Sequence, residues 1–461
     1  MQKEWSRREM LRVLGMLSAG TTLTPAALGN VRMIEREYGL DFSERLNLKK
    51  PVTAITLGAG NRGNVYGDYA AAYPAELDIL GVAEPIPIRN ERYAQKHHIP
   101  AKNRFTTWEH VFKVPKFADA VIITTPDNLH YGPAMQALEM GYHLLLEKPI
   151  AQSWRECSDI LKQAKKYNRI VAVCHVLRYS PYYRKVKEVM DSGLLGDIVS
   201  LQHIEPIEHK HMAHSFVRGN WRRSDETNPI ILAKSCHDLD ILRWWIGKNC
   251  RYVSSFGSLK WFKEENAPPG STARCTDGCK VESECPYSAL QIYYRKRERN
   301  YVFDLPEDKS KQAEYVLQQL KEGPYGRCVY RCDNDQPDHL VLGLEFDSGI
   351  TASFNMEAFT IYAGRRTRVM GSMGDLVGDE EELYIANFRT GEIEKWTPKD
   401  VGSGHAGGDW GLARDWVNAV DKEDPSLLTS TLDASMESHL MAFQSERARL
   451  NHTVEKIDLG M

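Results

Sequence analysis

Val52-Thr53-Ala54-Ile55-Thr56-Leu57-Gly58-Ala59-Gly60-Asn61-Arg62-Gly63 is the stretch on which the fold turns. Six apolar or β-branched residues, a strand's length, run straight into G-x-G-x-x-G and then into a helix-like stretch from Asn64 to Tyr73. Three glycines alone mean little. Between a strand and a helix each has a physical reason to be there. Gly58 makes the tight turn, Gly60 lets the backbone approach a pyrophosphate, and Gly63 lets helix and strand pack closely. The helix start, with Asn61 and Arg62, offers free N–H groups and the positive end of a dipole to the phosphates.

Working outward, Leu77 to Ala83 reads as a second strand ending at Glu84. An acid there accepts hydrogen bonds from ribose hydroxyls and repels a 2′-phosphate, so NAD is expected rather than NADP, with Arg89 and Arg92 tempering the preference. A helix from Arg89 to His97, a strand from Ala118 to Thr124, a helix from His130 to Gly141 and a run at His143–Leu146 continue the alternation. Such alternation calls for a doubly wound parallel sheet. Beyond Tyr179 the texture changes to β-like runs at Ile198–His203, Tyr252–Trp261, His339–Phe346, Ile350–Phe359 and Thr367–Met370, with late helices at Asp409–Val420 and Ala434–Asn451. The expected class is an α/β Rossmann dinucleotide-binding domain (residues 50–175) followed by an α+β domain (176–455) with a mostly antiparallel open sheet. Residues 262–338, rich in Cys, Pro and charge, read as an insertion.

Bulk properties narrow the function class. The 461 residues are 42% apolar and 26% charged, ordinary for two globular domains with real cores. A net charge of -3 offers no basic field for nucleic acid and no polybasic membrane anchor. At the N-terminus, Ser6-Arg7-Arg8-Glu9-Met10-Leu11-Arg12 precedes a short apolar run and small residues up to Ala27. The run is too short to span a membrane, which takes about 20 apolar residues. Residues 1–29 read as an export signal resembling the twin-arginine type, so the expected place is the periplasm and the export machinery an expected partner.

Three further stretches carry a family resemblance: Thr124-Thr125-Pro126-Asp127-Asn128-Leu129-His130, the tripeptide Glu147-Lys148-Pro149, and Cys236-His237-Asp238-Leu239-Asp240-Ile241-Leu242-Arg243-Trp244-Trp245. With the glycine loop they resemble the glucose–fructose oxidoreductase/inositol dehydrogenase/MocA (Gfo/Idh/MocA) family from residue 50 to the C-terminus, the insertion excepted. The resemblance implies tightly bound NAD, a carbohydrate substrate and a homo-oligomer. It implies that Thr125, Pro126, Asn128, His130, Glu147 and Lys148 lie along the cofactor, that Lys148 orients substrate and helps the proton move, and that His237 accepts it. His175, Tyr179 and His405 become candidate substrate contacts, as do Arg218, Trp221 and Lys234. In many relatives an Asp stands four residues before the catalytic His; here that position is Ala233, with Lys234 beside it. His203, His209, His211 and His214 suit the rim of a sugar cleft better than a metal.

In the insertion, Cys275-x3-Cys279-x5-Cys285 and Cys328-x3-Cys332 suggest a zinc or iron–sulfur site on Cys275, Cys279, Cys285 and Cys332, with Cys328 as the alternative ligand. Disulfides and free thiols are the other readings. The functional expectation is an NAD-dependent oxidoreductase that takes hydride from a secondary hydroxyl of a sugar or sugar derivative. The alternatives are a glycosidase that recycles NAD through oxidation, elimination, hydration and reduction, and a non-catalytic sugar-binding protein that retains NAD.

Overall fold

The computed structural model describes residues 33–38, 45–399 and 404–460; the export-signal reading of residues 1–29 lies outside them. Its strands are β1 (Met33–Tyr38), β2 (Val52–Leu57), β3 (Leu77–Ala83), β4 (Arg104–Phe105), β5 (Ala120–Ile123), β6 (His143–Leu146), β7 (Val171–Val173) and β8 (Ile198–Pro206). They continue as β9 (Cys250–Ser258), β10 (His339–Phe346), β11 (Thr351–Glu357), β12 (Arg366–Gly371), β13 (Gly374–Gly378), β14 (Leu383–Asn387), β15 (Ile393–Pro398) and β16 (Val454–Lys456).

Six strands in the order β4-β3-β2-β5-β6-β7 form an all-parallel sheet. Its central strands are buried along most of their length, as covering by helices on both faces requires. Register decides where chemistry can happen. Leu57 lies opposite Ala83 and Ile123, Ile123 opposite Leu146, and Leu146 opposite Val173. The residues that follow (Gly58, Glu84, Thr124, Glu147 and Cys174) therefore emerge along one edge, where open α/β sheets take ligands.

The second sheet has ten strands in the order β1-β15-β14-β13-β12-β8-β11-β10-β9-β16. It is mostly antiparallel, with parallel pairs at β1–β15 and β8–β11. One face of β10 is buried and the other faces outward in strict alternation, the mark of a sheet packed on one side. Helices Cys236–Ile246 and Leu432–Asn451 pack against each other beneath it and carry apolar residues into its core. Two sequence expectations are corrected. Met33–Tyr38, where no strand is expected from the sequence, is an edge strand beside β15. The chain from Gly374 to Pro398, where no strand is expected, adds β13, β14 and β15. Among the described residues no helix is long and apolar enough to cross a membrane.

Candidate active site

The glycine loop closes as its residue types require. Gly58 has φ +93°, and a Cβ on it would meet the Thr124 carbonyl at 2.7 Å. A Cβ on Gly63 would collide with the Gly58 carbonyl, whereas at Gly60 nothing lies within 4 Å. That open face, at the N-cap of helix Asn61–Ala72, is a cradle into which a pyrophosphate fits. The Glu84 carboxylate is held at the end of β3 by the amides of Ala59 (2.8 Å) and Ile86 (2.9 Å). On the neighbouring loop, Thr125 Oγ1 donates to the Leu129 carbonyl at 2.9 Å, Pro126 and Asn128 are exposed, and buried His130 ties Thr125 to Pro149 through the carbonyls of both. The residues present thus fit a dinucleotide.

At the same edge the Lys148–Pro149 peptide is cis and Lys148 Nζ donates to the Ala233 carbonyl at 2.8 Å. The position that lacks the relatives' Asp thus still engages the lysine, through its backbone. His237 opens helix Cys236–Ile246, and its ring lies 5.9 Å from that of His175 and 6.1 Å from that of His405. Its Nδ1 has no hydrogen-bond partner among the described residues. Burial first, and then the Lys148 ammonium and the neighbouring His175 and His405, holds the His237 imidazole well below its ordinary pKa. It is a neutral ring, able to accept a proton. Lys234 faces Glu205 at 3.5 Å, and His405 Nδ1 lies 3.0 Å from Asp409.

Several expected contacts sit elsewhere. Arg62 and Glu147 engage each other at 2.6 Å, with Arg62 also on Asp409 at 2.7 Å and Tyr66 donating to Glu147 at 3.0 Å. The buried Glu147 carboxylate thus has the charged partner it needs, and the ion pair braces the loop. Tyr179 is wholly buried in the Rossmann-side core, its hydroxyl 3.0 Å from Ser430 Oγ. His175 stands behind His237, packed 5.4 Å from the His439 ring and 3.6 Å from Asp240. Arg218 is turned into the insertion, donating to the carbonyls of Arg327 and Tyr287, both at 2.7 Å. Trp221 donates from its indole to Asp127 at 3.1 Å, joining the cofactor loop to the second domain.

Sequence reasoning missed a buried charge network beneath the site. Arg365 pairs with Glu205 at 2.6 Å and with Asp238, which also meets His203 Nε2 at 3.1 Å. Burial alone would raise the Asp238 pKa; Arg365 and the His203 hydrogen bond outweigh it and hold the carboxyl below its usual range. Asp238 sits beside His237 in the sequence, the one signal that pointed there. His211 is held well below its ordinary pKa by burial first and then by nearby cations, Lys234 and Lys148 among them.

In the insertion the disulfide reading is set aside: none of the nine cysteines is joined to another. Among the described residues no three His, Cys, Asp or Glu side chains are set to hold a metal as they stand. Cys275, Cys279, Cys285 and Cys328 line one cavity, whereas Cys332 turns to the Cys328 carbonyl at 3.3 Å. The four grouped cysteines thus include Cys328 and leave out Cys332.

A glycine cradle at the edge of a parallel sheet, with a lysine and a neutral imidazole facing it, defines a nicotinamide-dependent oxidoreductase. Residues 53–175 match the family model for the oxidoreductase NAD-binding Rossmann fold, and residues 187–439 match its C-terminal alpha/beta domain. The chain belongs to the Gfo/Idh/MocA family of oxidoreductases. It is 24% identical over 316 residues to YteT of Bacillus subtilis (strain 168), a protein named as an oxidoreductase, covering 67% of this chain and 72% of that one. It is 25% identical over 142 residues to the 2,7-anhydro-N-acetylneuraminate hydratase of Escherichia coli (strain K12), covering 31% and 37%. Levoglucosan dehydrogenase, solved with NADH and levoglucosan, superposes with a TM-score of 0.66 at 16% identity, covering 88% of this chain and all of that one.

Proposed function

We propose that the chain oxidises a secondary hydroxyl of a sugar or sugar derivative, with Lys148 and His237 as the groups that meet the substrate. The observation that carries the reading is that Lys148, just past the end of β6 at the ligand-binding edge of the Rossmann sheet, lies within electrostatic reach of the His237 ring. Bound NAD supplies the acceptor for the hydride removed from carbon. The protein's own part is positional and protonic. The Lys148 ammonium, fixed by the Ala233 carbonyl, orients the hydroxyl and stabilises charge developing on its oxygen. His237, kept neutral, accepts the hydroxyl proton. Lys234, beside Glu205, and His405 supply hydrogen bonds to neighbouring hydroxyls.

A second reading is that the same oxidation opens a cycle that eliminates, hydrates and reduces, so that a glycoside is hydrolysed with NAD returned unchanged. A relative named as a hydratase supports it, since addition of water is not net redox chemistry. The twin-arginine-like start supports export of the folded, NAD-loaded chain to the periplasm. Association of copies through the second sheet is part of the same reading. Exposed Tyr252, Phe256 and Val341, on the outer side of β9 and β10, give such a contact apolar area.

The test is turnover of a panel of nitrophenyl glycosides and free sugars by the purified chain with no added cofactor. Sustained nitrophenolate release without net nicotinamide reduction identifies the recycling glycosidase. A single-turnover rise in reduced nicotinamide, continued only with an added acceptor, identifies the dehydrogenase. Lys148→Ala and His237→Ala are expected to lower either activity by at least about a hundred-fold while NAD stays bound. Undiminished turnover in both variants overturns the site assignment.

A further inference from the structure

The insertion is anchored on the second domain, whose core takes in Phe262, Tyr287, Val329 and Tyr330, and beyond that anchor it has little of its own. Its own small core has seven buried residues, among them Ile292, Tyr293, Phe303 and Leu320, and much of the rest is turn and single-turn helix. A covalent or metal staple would stiffen the part that lies beyond that anchor. No disulfide joins the cysteines present.

Two backbone hydrogen bonds, Cys275 N to the Gly326 carbonyl (2.9 Å) and Cys328 N to the Ala273 carbonyl (2.8 Å), flank an antiparallel bridge between Arg274 and Arg327. They set Cys275 and Cys328 on adjoining chains, although the two lie far apart in sequence. Cys279 follows through a turn at Gly278 with φ +74°, and Cys285 completes a group of four that lines one cavity of about 20 Å³. That volume is enough for a single ion or water.

Charge supplies the second, independent observation. Arg218 is 1% exposed, and its Nη1 has no hydrogen-bond partner among the described residues although the side chain lines this cavity. Its other contacts are two carbonyls and the Cys275 sulfur at 3.8 Å, none of them a carboxylate. Arg274 lines the same cavity and is held by the carbonyls of Leu320 and Gly323. The carboxylate that also lines it, Glu282, is taken by Arg295 through two bonds of 2.8 and 2.9 Å. Arg218 thus faces the thiols with no free anion beside it, and a buried cation without a counter-charge is costly; Arg274, partly exposed, adds a second positive charge at the edge of the cavity.

We propose that Cys275, Cys279, Cys285 and Cys328 bind one structural zinc ion as thiolates, with Arg218 and Arg274 balancing the charge of the site. Four thiolates and Zn²⁺ sum to −2, the complement of two guanidiniums. Binding releases the four thiol protons to solvent and changes no oxidation state. The Ala289 amide, 3.4 Å from the Cys275 sulfur, is the kind of N–H···S donor that orients a ligating thiolate. As free thiols the side chains are not in ligating positions, so binding requires the sulfurs to move toward the ion. The spacing of Cys275 and Cys279 falls within the usual range for one half of such a site.

Elemental analysis of the purified full-length chain is expected to give about one zinc per chain, and cobalt replacement the absorption of a tetrahedral cobalt thiolate. Cys285→Ser and Cys328→Ser should lower zinc to below about a tenth of that content, whereas Cys332→Ser should retain it. If the serine variants fail to accumulate, metal content and the cobalt spectrum of the unaltered chain decide alone. Chain from zinc-supplemented cells that carries no zinc overturns the proposal, as does iron in its place. Zinc lost on Cys332→Ser but kept on Cys328→Ser overturns the ligand set.

Discussion

His439 holds the strand end that carries the lysine. Its Nε2 accepts from the Ile150 amide at 3.0 Å, two residues after Lys148, so its Nδ1 carries the proton donated to the Ser435 carbonyl at 2.9 Å. Both bonds are made by the neutral ring, and a second proton would break the first. Burial above all, and then His175 beside it, pushes the His439 pKa down to about 3. The sign follows from linkage: between an unfolded value near 6.5 and that folded value, only the unfolded chain takes up the proton. The contribution of His439 to stability is therefore complete above about pH 6.5 and is lost as pH falls toward 3. His439→Gln, which keeps an acceptor and a donor, is expected to flatten the loss of unfolding free energy between pH 6 and 4 by about 1.4 kcal/mol per pH unit. Urea unfolding at a series of pH values measures it, and an unchanged slope would show that His439 already titrates normally. At this scale the residue types were legible and their directions were not. Lys148 and His237 follow from motif and chemistry; Tyr179 and Arg218 are polar residues near the right place whose side chains turn into cores, and direction is set by packing that one sequence does not display. Arg365 and Glu205 come from distant strands, and nothing local marks them.

Among the elements, those with strong periodicity were readable and those held by tertiary pairing were not. Val52–Leu57 and His339–Phe346 have the apolar content or strict alternation of strands, whereas Met33–Tyr38 is half charged and is a strand because β15 lies beside it. The insertion is the extreme case. From it Asp304 reaches Arg89 at 2.7 Å and the Leu305 carbonyl reaches Arg92 at 2.9 Å. Both arginines lie on the helix that follows Glu84, at the adenosine end of the cradle. The insertion thus spans from the second domain onto the Rossmann domain and occupies the guanidinium that would otherwise favour a 2′-phosphate. Asp304→Ala removes a half-exposed ion pair worth about 0.2–1 kcal/mol. The expected result is an NAD dissociation rate raised about two- to five-fold, with NADP bound more tightly than by the unaltered chain. Stopped-flow displacement of NAD, together with NADP titration, checks both; unchanged values would leave the contact without a role in holding the cofactor.

Taken as a whole, the molecule unites a cofactor that must be in place before catalysis with a chain whose start reads as an export signal. A route that threads an unfolded chain would deliver the protein without its dinucleotide, to a compartment where free NAD is scarce. A route that carries folded proteins removes the difficulty, and the clasp at Arg89 and Arg92 would hold the cofactor after transit. The same argument covers zinc, which the insertion would take up on folding, before export. Arg7→Lys together with Arg8→Lys keeps the charge of the signal but removes the arginine pair. The double variant is expected to stay in the cytoplasm, folded, NAD-loaded and as active per molecule as the unaltered chain, while the latter collects in the periplasm. Fractionation with NAD quantified in each compartment measures this. Equal distribution of the two proteins would reject the twin-arginine route. Periplasmic protein that arrives without NAD and gains activity only on its addition would show that the cofactor is loaded after export, and the case for internal recycling would lose its premise.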